Sequence, residues 1–352
     1  LLRNSIRRRV IEADLQVPSG LQAGRFCDKV KAMKAFVTGG TGFIGSQLVR
    51  LLIQEGHSVR MLSRKAETAG ASGQDGVEVV EGTLEDFSSF VGAIDGTEVF
   101  YHVGEIKNVS KSAARKNVEL VKALVGHLHL KEVGRFVFVS SLTVAGVPAS
   151  VPATEETPPE IILEDHYTAY KRDCESLIRE KSGDNAYVIL RPAPVYGPGS
   201  RYLGRLIKTI KKIGPVGLPF AGDARNLAPL VYVKDLARAI YLAGVEPRAA
   251  GQTLNITDGE RHSWFDFFQA IAGSSGSKLR ILRMSPLLLR MPLLFFDPFS
   301  TFLGFDLDAA RYVTYFSRDI FFDNGKAKAV LGWQPEYDLT RGVKEMVHDA
   351  KT

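Results

Sequence analysis

The chain has 352 residues, 45% hydrophobic and 24% charged, which is ordinary composition for a soluble globular protein of one large or two small domains. The net charge is +6, but seven Lys or Arg against three acids precede Met33, so +4 of it lies in that leader. The body is close to neutral, which argues against a nucleic-acid-binding surface, and Cys27 and Cys174 have neither metal-ligand nor redox spacing, so a reducing cytoplasm is the expected compartment and no metal is expected.

The leader carries Arg7, Arg8 and Arg9 but no apolar stretch of signal-peptide or membrane length. An arginine-rich transit peptide is a rival reading, and Glu12 and Asp14 count against it. Residues 1–33 are expected to lie outside the fold, with Met33 as the natural first residue.

From Lys34 onward, strand and helix signals alternate. Ala35–Val37 reads as a short strand and runs directly into TGGTGFIG, Thr38 to Gly45. A strand that ends in a glycine turn and opens onto a helix makes a phosphate cradle. Gly39 permits the turn, Gly42 lets the backbone approach a pyrophosphate, and Gly45 lets the helix pack close to its strand. Phe43, Ile44, Leu48, Val49, Leu51 and Leu52 recur at helical spacing behind the turn.

Further strands are predicted at Val59–Leu62, Val77–Val80, Val99–Val103, Phe136–Val139 and Tyr187–Leu190, with helices at Asn117–Leu130 and Tyr167–Glu180. The alternation implies crossover units and a doubly wound parallel sheet of the α/β class. After Arg191 and Pro192 the pattern loosens into a Gly- and Pro-rich stretch, which suggests a smaller C-terminal lobe. The expected division is 34–191 with 230–256 for dinucleotide binding and 192–229 with 257–350 for substrate, with a crevice between them at the carboxyl ends of the strands. Met284 to Phe305 is very apolar, but Pro286, Arg290, Pro292, Asp297 and Pro298 interrupt it. A spanning helix is therefore not expected. A substrate-lobe core is the plain reading, and a greasy lid or a peripheral membrane contact through 284–305 remains open.

Tyr167 and Lys171 lie four apart on a predicted helix and share a face. A free phenol is a poor base at neutral pH, and a nearby ammonium is expected to lower its pKa. The spacing alone is weak evidence, but the pair follows the fifth strand, which ends in Ser140, Ser141, Leu142 and Thr143. A hydroxyl there would stand at the mouth of the crevice.

These motifs together resemble the extended short-chain dehydrogenase/reductase family, which includes the NAD-dependent epimerase/dehydratase group, over about Lys34 to Glu345. TGGTGFIG resembles its cofactor turn. YTAYK, Tyr167 to Lys171, resembles its active-site pair, and FVFVSS, Phe136 to Ser141, the strand that delivers its serine. RPAPVYGPG from Arg191 to Gly199, VYVKDLA from Val231 to Ala237 and KAVLGWQP from Lys328 to Pro335 match later landmarks.

The resemblance implies a Rossmann fold and a nicotinamide cofactor held by Gly39, Gly42, Phe43, Ile44, Gly45, Thr83, Leu84, His102, Lys171 and Pro192. It implies that Tyr167 passes a proton to or from the substrate oxygen, that Lys171 holds the ribose, that Ser141, with Thr143, binds the same oxygen, and that Asn117 orders the proton relay. Thr143, Tyr196 and Arg225 would face substrate. A homodimer through the helices containing Asn117–Leu130 and Tyr167–Glu180 is also implied.

The chain departs from the family pattern in four places. Ser63 stands where an NAD site usually has an acid, and Arg64 and Lys65 could hold a 2′-phosphate, so NADP is favoured over NAD. Thr83 replaces an aspartate near the adenine. His102-Val-Gly-Glu105 replaces a small-residue run. Ala228 stands where nucleotide-sugar relatives carry an arginine for the substrate's diphosphate, and Arg201, Arg205 or Arg225 could substitute for it. With the greasy 284–305 segment, this tilts the expectation toward an oxidoreductase acting on a hydrophobic secondary alcohol or ketone, in the style of hydroxysteroid dehydrogenases or dihydroflavonol reductases. The alternatives are a nucleotide-sugar epimerase or dehydratase with tightly held NAD, and a non-catalytic NAD(P)-binding sensor or scaffold.

Overall fold

Strand residues here alternate between two apolar faces, so the sheet they form must be covered on both sides. In β1 (Lys34–Thr38), Ala35 and Val37 enter one core cluster and Phe36 the other; in β4 (Val99–His102), Val99 and Tyr101 oppose Phe100 in the same way. Phe36 stacks on Phe100 with ring centroids 5.0 Å apart. Each buried side chain of this size stabilises the fold by about 1.5–3 kcal/mol.

The computed structural model describes residues 32–65, 76–107, 110–130, 133–161, 165–182, 187–285, 313 and 315–350. All belong to one folded unit that begins at Ala32. The leader before it lies outside the described residues, as does the apolar segment expected at 284–305, apart from Met284 and Ser285. Met33, expected to lie outside the fold, is buried in the core, and its carbonyl accepts a hydrogen bond from the Ser58 amide.

The remaining sheet strands are β2 (Ser58–Ser63), β3 (Val77–Glu81), β5 (Arg135–Val139), β6 (Tyr187–Pro192) and β7 (Gln252–Ile256). Together with β1 and β4 they form a seven-stranded parallel sheet in the order β7-β6-β5-β4-β1-β2-β3. This is the doubly wound Rossmann architecture expected from the alternation. Strand order reverses between β1 and β4, which leaves a crevice at their carboxyl ends.

Helices α1 (Phe43–Gln54), α2 (Lys111–Leu130) and α3 (His166–Lys181) flank the sheet. α2 starts six residues before the expected Asn117, because Lys111 to Lys116 are mostly polar and give little apolar periodicity. Beyond β6 come α4 (Arg201–Ile213), α5 (Val233–Val245), α6 (Trp264–Ser275), α7 (Gly325–Leu331) and α8 (Leu339–Asp349). α5 packs against α1 on one face of the sheet, and α2 packs against α3 on the other. Two of the sequence landmarks meet in space: the Asp235 carboxylate accepts the backbone amides of Glu336 and Tyr337, and the fully buried Trp333 indole donates to the Asp235 carbonyl at 2.9 Å.

Tyr167, Lys171, Glu175 and Arg179 follow one another along one face of α3 at four-residue spacing. Glu175 is fully buried. Its carboxylate accepts two bonds from Arg191 on β6, at 2.9 and 2.6 Å, one from Ser140 at 2.6 Å and one from Arg179 at 2.7 Å. Burial would raise its pKa, but the Arg191 hydrogen bonds and charge, with Ser140 and Arg179, hold it below the ordinary carboxylate value. A depressed native pKa adds stability that is present above the unfolded-state pKa and is lost as pH falls through the native one. Glu175→Ala leaves Arg191 buried without its partner. The expected result is a loss of about 3–5 kcal/mol in urea unfolding at neutral pH and a shallower acid dependence. An unchanged denaturation midpoint would contradict this account.

Candidate active site

The turn after β1 is shaped by backbone contact. Gly39 has φ +73°, and its carbonyl accepts the Gly42 amide at 2.8 Å. A Cβ on Gly39 would lie 2.5 Å from the Gly104 Cα, and one on Gly45 would lie 2.2 Å from the Gly39 carbonyl oxygen. The connections after β1 and β4 therefore meet without side chains between them. Leu84 closes over Gly104, so the segment after β3 reaches the same point. Gly42 is the N-cap of α1; no side chain caps this helix end and no acid lies in its first turn, so its positive dipole end is not neutralised within the described chain. These features fit a dinucleotide's pyrophosphate. Phe43 and Ile44 open the helix, and Gly199 passes close to the Phe43 ring.

At the end of β2, the Ser63 hydroxyl donates to the Lys65 carbonyl at 3.0 Å and so shapes its own turn; Arg64 and Lys65 are exposed beside it. The Thr83 amide is bonded to Ser89. Pro192 ends β6 and is buried against β7.

His102 differs from expectation. It is 3% exposed, its Nδ1 is paired with the Thr38 hydroxyl at 2.8 Å, and its ring stacks on Phe138. Burial, with the Lys171 charge, pushes its pKa down to about 3. It is a neutral residue beneath the site, where it ties β4 to β1.

Ser141, Thr143, Tyr167 and Lys171 come together. Ser141 ends the β5 connection and caps a short 3₁₀ turn, Leu142–Ala145, where its oxygen accepts from the Thr143 amide at 3.2 Å and hydroxyl at 3.0 Å. Ser140 points the other way, to Glu175. α3 begins at an Asp165 cap that accepts the Thr168 amide at 2.6 Å, and this sets Tyr167 in the first turn. Lys171 is 5% exposed; its ammonium donates to the Val139 carbonyl at 2.8 Å and stands 5.1, 5.3 and 5.7 Å from the ring centres of Phe138, Tyr170 and Tyr167.

The electrostatic balance at Tyr167 corrects the sequence expectation. Burial, and then the Glu105 carboxylate, push the phenol above its ordinary pKa, and a hydrogen bond with Ser141 offsets this only in part. Lys171 shares its ammonium with Val139 and Glu105, so it does not act on Tyr167 alone.

Three other expected residues lie differently. The Asn117 amide is committed to backbone: its oxygen accepts from the Ile106 amide at 2.9 Å, and its nitrogen donates to the Ile106 and Ala113 carbonyls at 3.0 Å each. It holds the chain after β4 rather than bonding to Ser141, Tyr167 or Lys171. Tyr196 is 1% exposed in a core cluster with Tyr232 and Phe267 and does not face the crevice. Arg225 is exposed and stacks on Phe265, at the start of α6. Ala228 is buried, its amide bonded to the His262 carbonyl.

Two residues of the group were not predicted. Tyr170 donates a short hydrogen bond to Glu105, and Glu105 lies 3.8 Å from the Lys171 ammonium. Glu105, Ile106, Ser110, His166, Tyr167 and Tyr170 line one small cavity. The departure at Glu105 was visible in the sequence; its destination was not.

The family model described as "NAD dependent epimerase/dehydratase family" matches residues 35–257. The chain belongs to this family. It is 26% identical to 3beta-hydroxysteroid-dehydrogenase/decarboxylase isoform 2 of Arabidopsis thaliana, over 94% of this chain and 63% of the relative's length. It is 25% identical to UDP-glucose 4-epimerase of Vibrio cholerae, over 90% of this chain and 95% of that one. The crystal structure of gox2253 has the same fold, with a TM-score of 0.73 at 24% identity over 90% of this chain and 97% of that chain.

Proposed function

We propose that this chain is an NAD(P)-dependent oxidoreductase that interconverts a secondary alcohol and its ketone on a rather hydrophobic small molecule. The observation that carries this reading is the convergence of Ser141, Tyr167 and Lys171 at the carboxyl end of β5, two strands away from the glycine turn after β1. The nicotinamide, when bound, exchanges a hydride with the substrate carbon. Gly39, Gly42 and Gly45 would seat its pyrophosphate at the start of α1, and Lys171 would hold its ribose. Ser141 would orient the substrate oxygen and Tyr167 would carry the proton.

In this reading, residues 34–191 with 230–256 bind the cofactor, and 192–229 with 257–350 bind substrate. The hydrophobic substrate class is supported by the buried Ala228 at the diphosphate-arginine position and by the steroid dehydrogenase relative. The epimerase relative supports the second reading, a nucleotide-sugar epimerase. Retained NAD that is not consumed during turnover of UDP-glucose would establish that reading in place of the first.

Tyr167→Phe is expected to abolish turnover while calorimetry still detects cofactor binding; unchanged turnover would remove Tyr167 from the mechanism. Because the Tyr167 pKa is raised, the phenol keeps its proton at neutral pH and serves ketone reduction there. Alcohol oxidation needs the phenolate, so its rate should climb as pH rises above neutral.

Arg64 and Lys65 support a preference for NADP over NAD. Arg64→Asp should weaken NADPH binding about tenfold or more, as measured by fluorescence titration, and change NADH binding little. Equal losses would remove the 2′-phosphate assignment.

A homodimer through α2 and α3 is the expected assembly in the cytoplasm. Light scattering at micromolar concentration should give twice the chain mass, and a monomer would overturn the assignment. Among the described residues no helix is long and apolar enough to cross a membrane.

A further inference from the structure

Glu105 lies just beyond β4, in a stretch where the chain departs from the family pattern. Its place is determined from three sides. The next residue, Ile106, is clamped at both its amide and its carbonyl by the buried Asn117 amide of α2. The Tyr170 hydroxyl donates to its Oε2. The Lys171 ammonium, itself fixed on the Val139 carbonyl, lies 3.8 Å from the same oxygen. The Glu105 side chain is 38% exposed and lines the cavity that Tyr167 also lines, so its charge is not fully screened by water.

We propose that Glu105 is a positioning residue of this site: clamped by Tyr170 and by the Asn117-bound segment, its carboxylate anchors the Lys171 ammonium and presents a negative charge to Tyr167 across the cavity they share. The proposal rests on the reading of Tyr167 as the group that carries the proton.

Among the described residues, the charged and titratable groups around Tyr167 are Glu105 and Lys107 on the segment after β4, Asp165 before α3, and His166, Tyr170 and Lys171 on α3 itself. On the β5 side the neighbour is the uncharged Ser141. Of the two acids that raise the Tyr167 pKa, Glu105 acts more strongly than Asp165. Asp165 also spends its carboxylate on the helix cap. The Lys171 ammonium is drawn to the Val139 carbonyl and to Glu105. A raised pKa makes the phenolate, the base that alcohol oxidation needs, scarcer at any given pH. Glu105 thereby holds back the base form of Tyr167.

The test uses the full chain with a polyfluorinated tyrosine incorporated at position 167. Its more acidic phenol titrates in an accessible range, and fluorine NMR follows it without cofactor or turnover. Glu105→Gln preserves shape and a hydrogen-bond acceptor but removes the charge, and should lower the titration midpoint by about one pH unit. Glu105→Asp keeps the charge and should stay close to the parent. If the Gln variant does not fold, Glu105→Ala takes its place with the same expected shift. In the unmodified enzyme, the rise of kcat/KM for alcohol oxidation with pH should move to lower pH in Glu105→Gln. A midpoint unchanged by removal of the charge would overturn the proposal, as would an Asp variant that shifts as far as the Gln variant. A fluorine shift as expected, in a protein whose Tyr167→Phe variant retains full turnover, would leave the electrostatic role of Glu105 standing and sink the catalytic reading of Tyr167 instead.

Discussion

The backbones of Gly39 and Gly104 touch where the strand order reverses, and the rest of the site depends on that contact. A side chain on either glycine would be driven into the other's main chain. With none there, the ends of β1 and β4 stay close, Gly45 packs onto the Gly39 carbonyl, and α1 starts directly behind the turn. The uncapped helix end then opens at the strand-order reversal. The anion-attracting dipole and the open backbone follow from close approach between glycines, not from any charged residue.

On the other side of the crevice, a single face of α3 does two jobs. Its first turns carry Tyr167, Tyr170 and Lys171; its middle carries Glu175, which joins Arg191 on β6 and Ser140 at the end of β5. The buried ion pair holds the helix in register against the sheet, and the ammonium one turn earlier lands on the Val139 carbonyl as a result. Ser140 and Ser141 are adjacent but serve the two jobs separately, because successive residues of an extended chain point to opposite sides. The packing that stabilises the core is therefore the same packing that orients Ser141, Tyr167 and Lys171.

Sequence reading placed Tyr167 and Lys171 on one helix face after the fifth strand from local spacing and order, and singled out Ser141 through the family resemblance. It located every strand from β1 to β6 within a residue or two, since both faces of a parallel sheet require unbroken apolar runs. Where it failed, the deciding contact was long-range. Asn117 bonds to a segment eleven residues away, His102 to Thr38 across the neighbouring strand, and Tyr196 to rings from two other elements. None of these partners is marked by composition or spacing.

By itself, the amino-acid sequence determined the fold class, the glycine cradle and the identity of the phenol–ammonium pair, because periodicity, turn chemistry and four-residue helical spacing are written in neighbouring residues. Only the tertiary structure decided how that pair is charged. Burial and the Glu105 carboxylate raise the Tyr167 pKa, and the Val139 carbonyl draws Lys171 aside. Desolvation and Coulomb interactions depend on distances across the folded chain, and no spacing along the sequence encodes them.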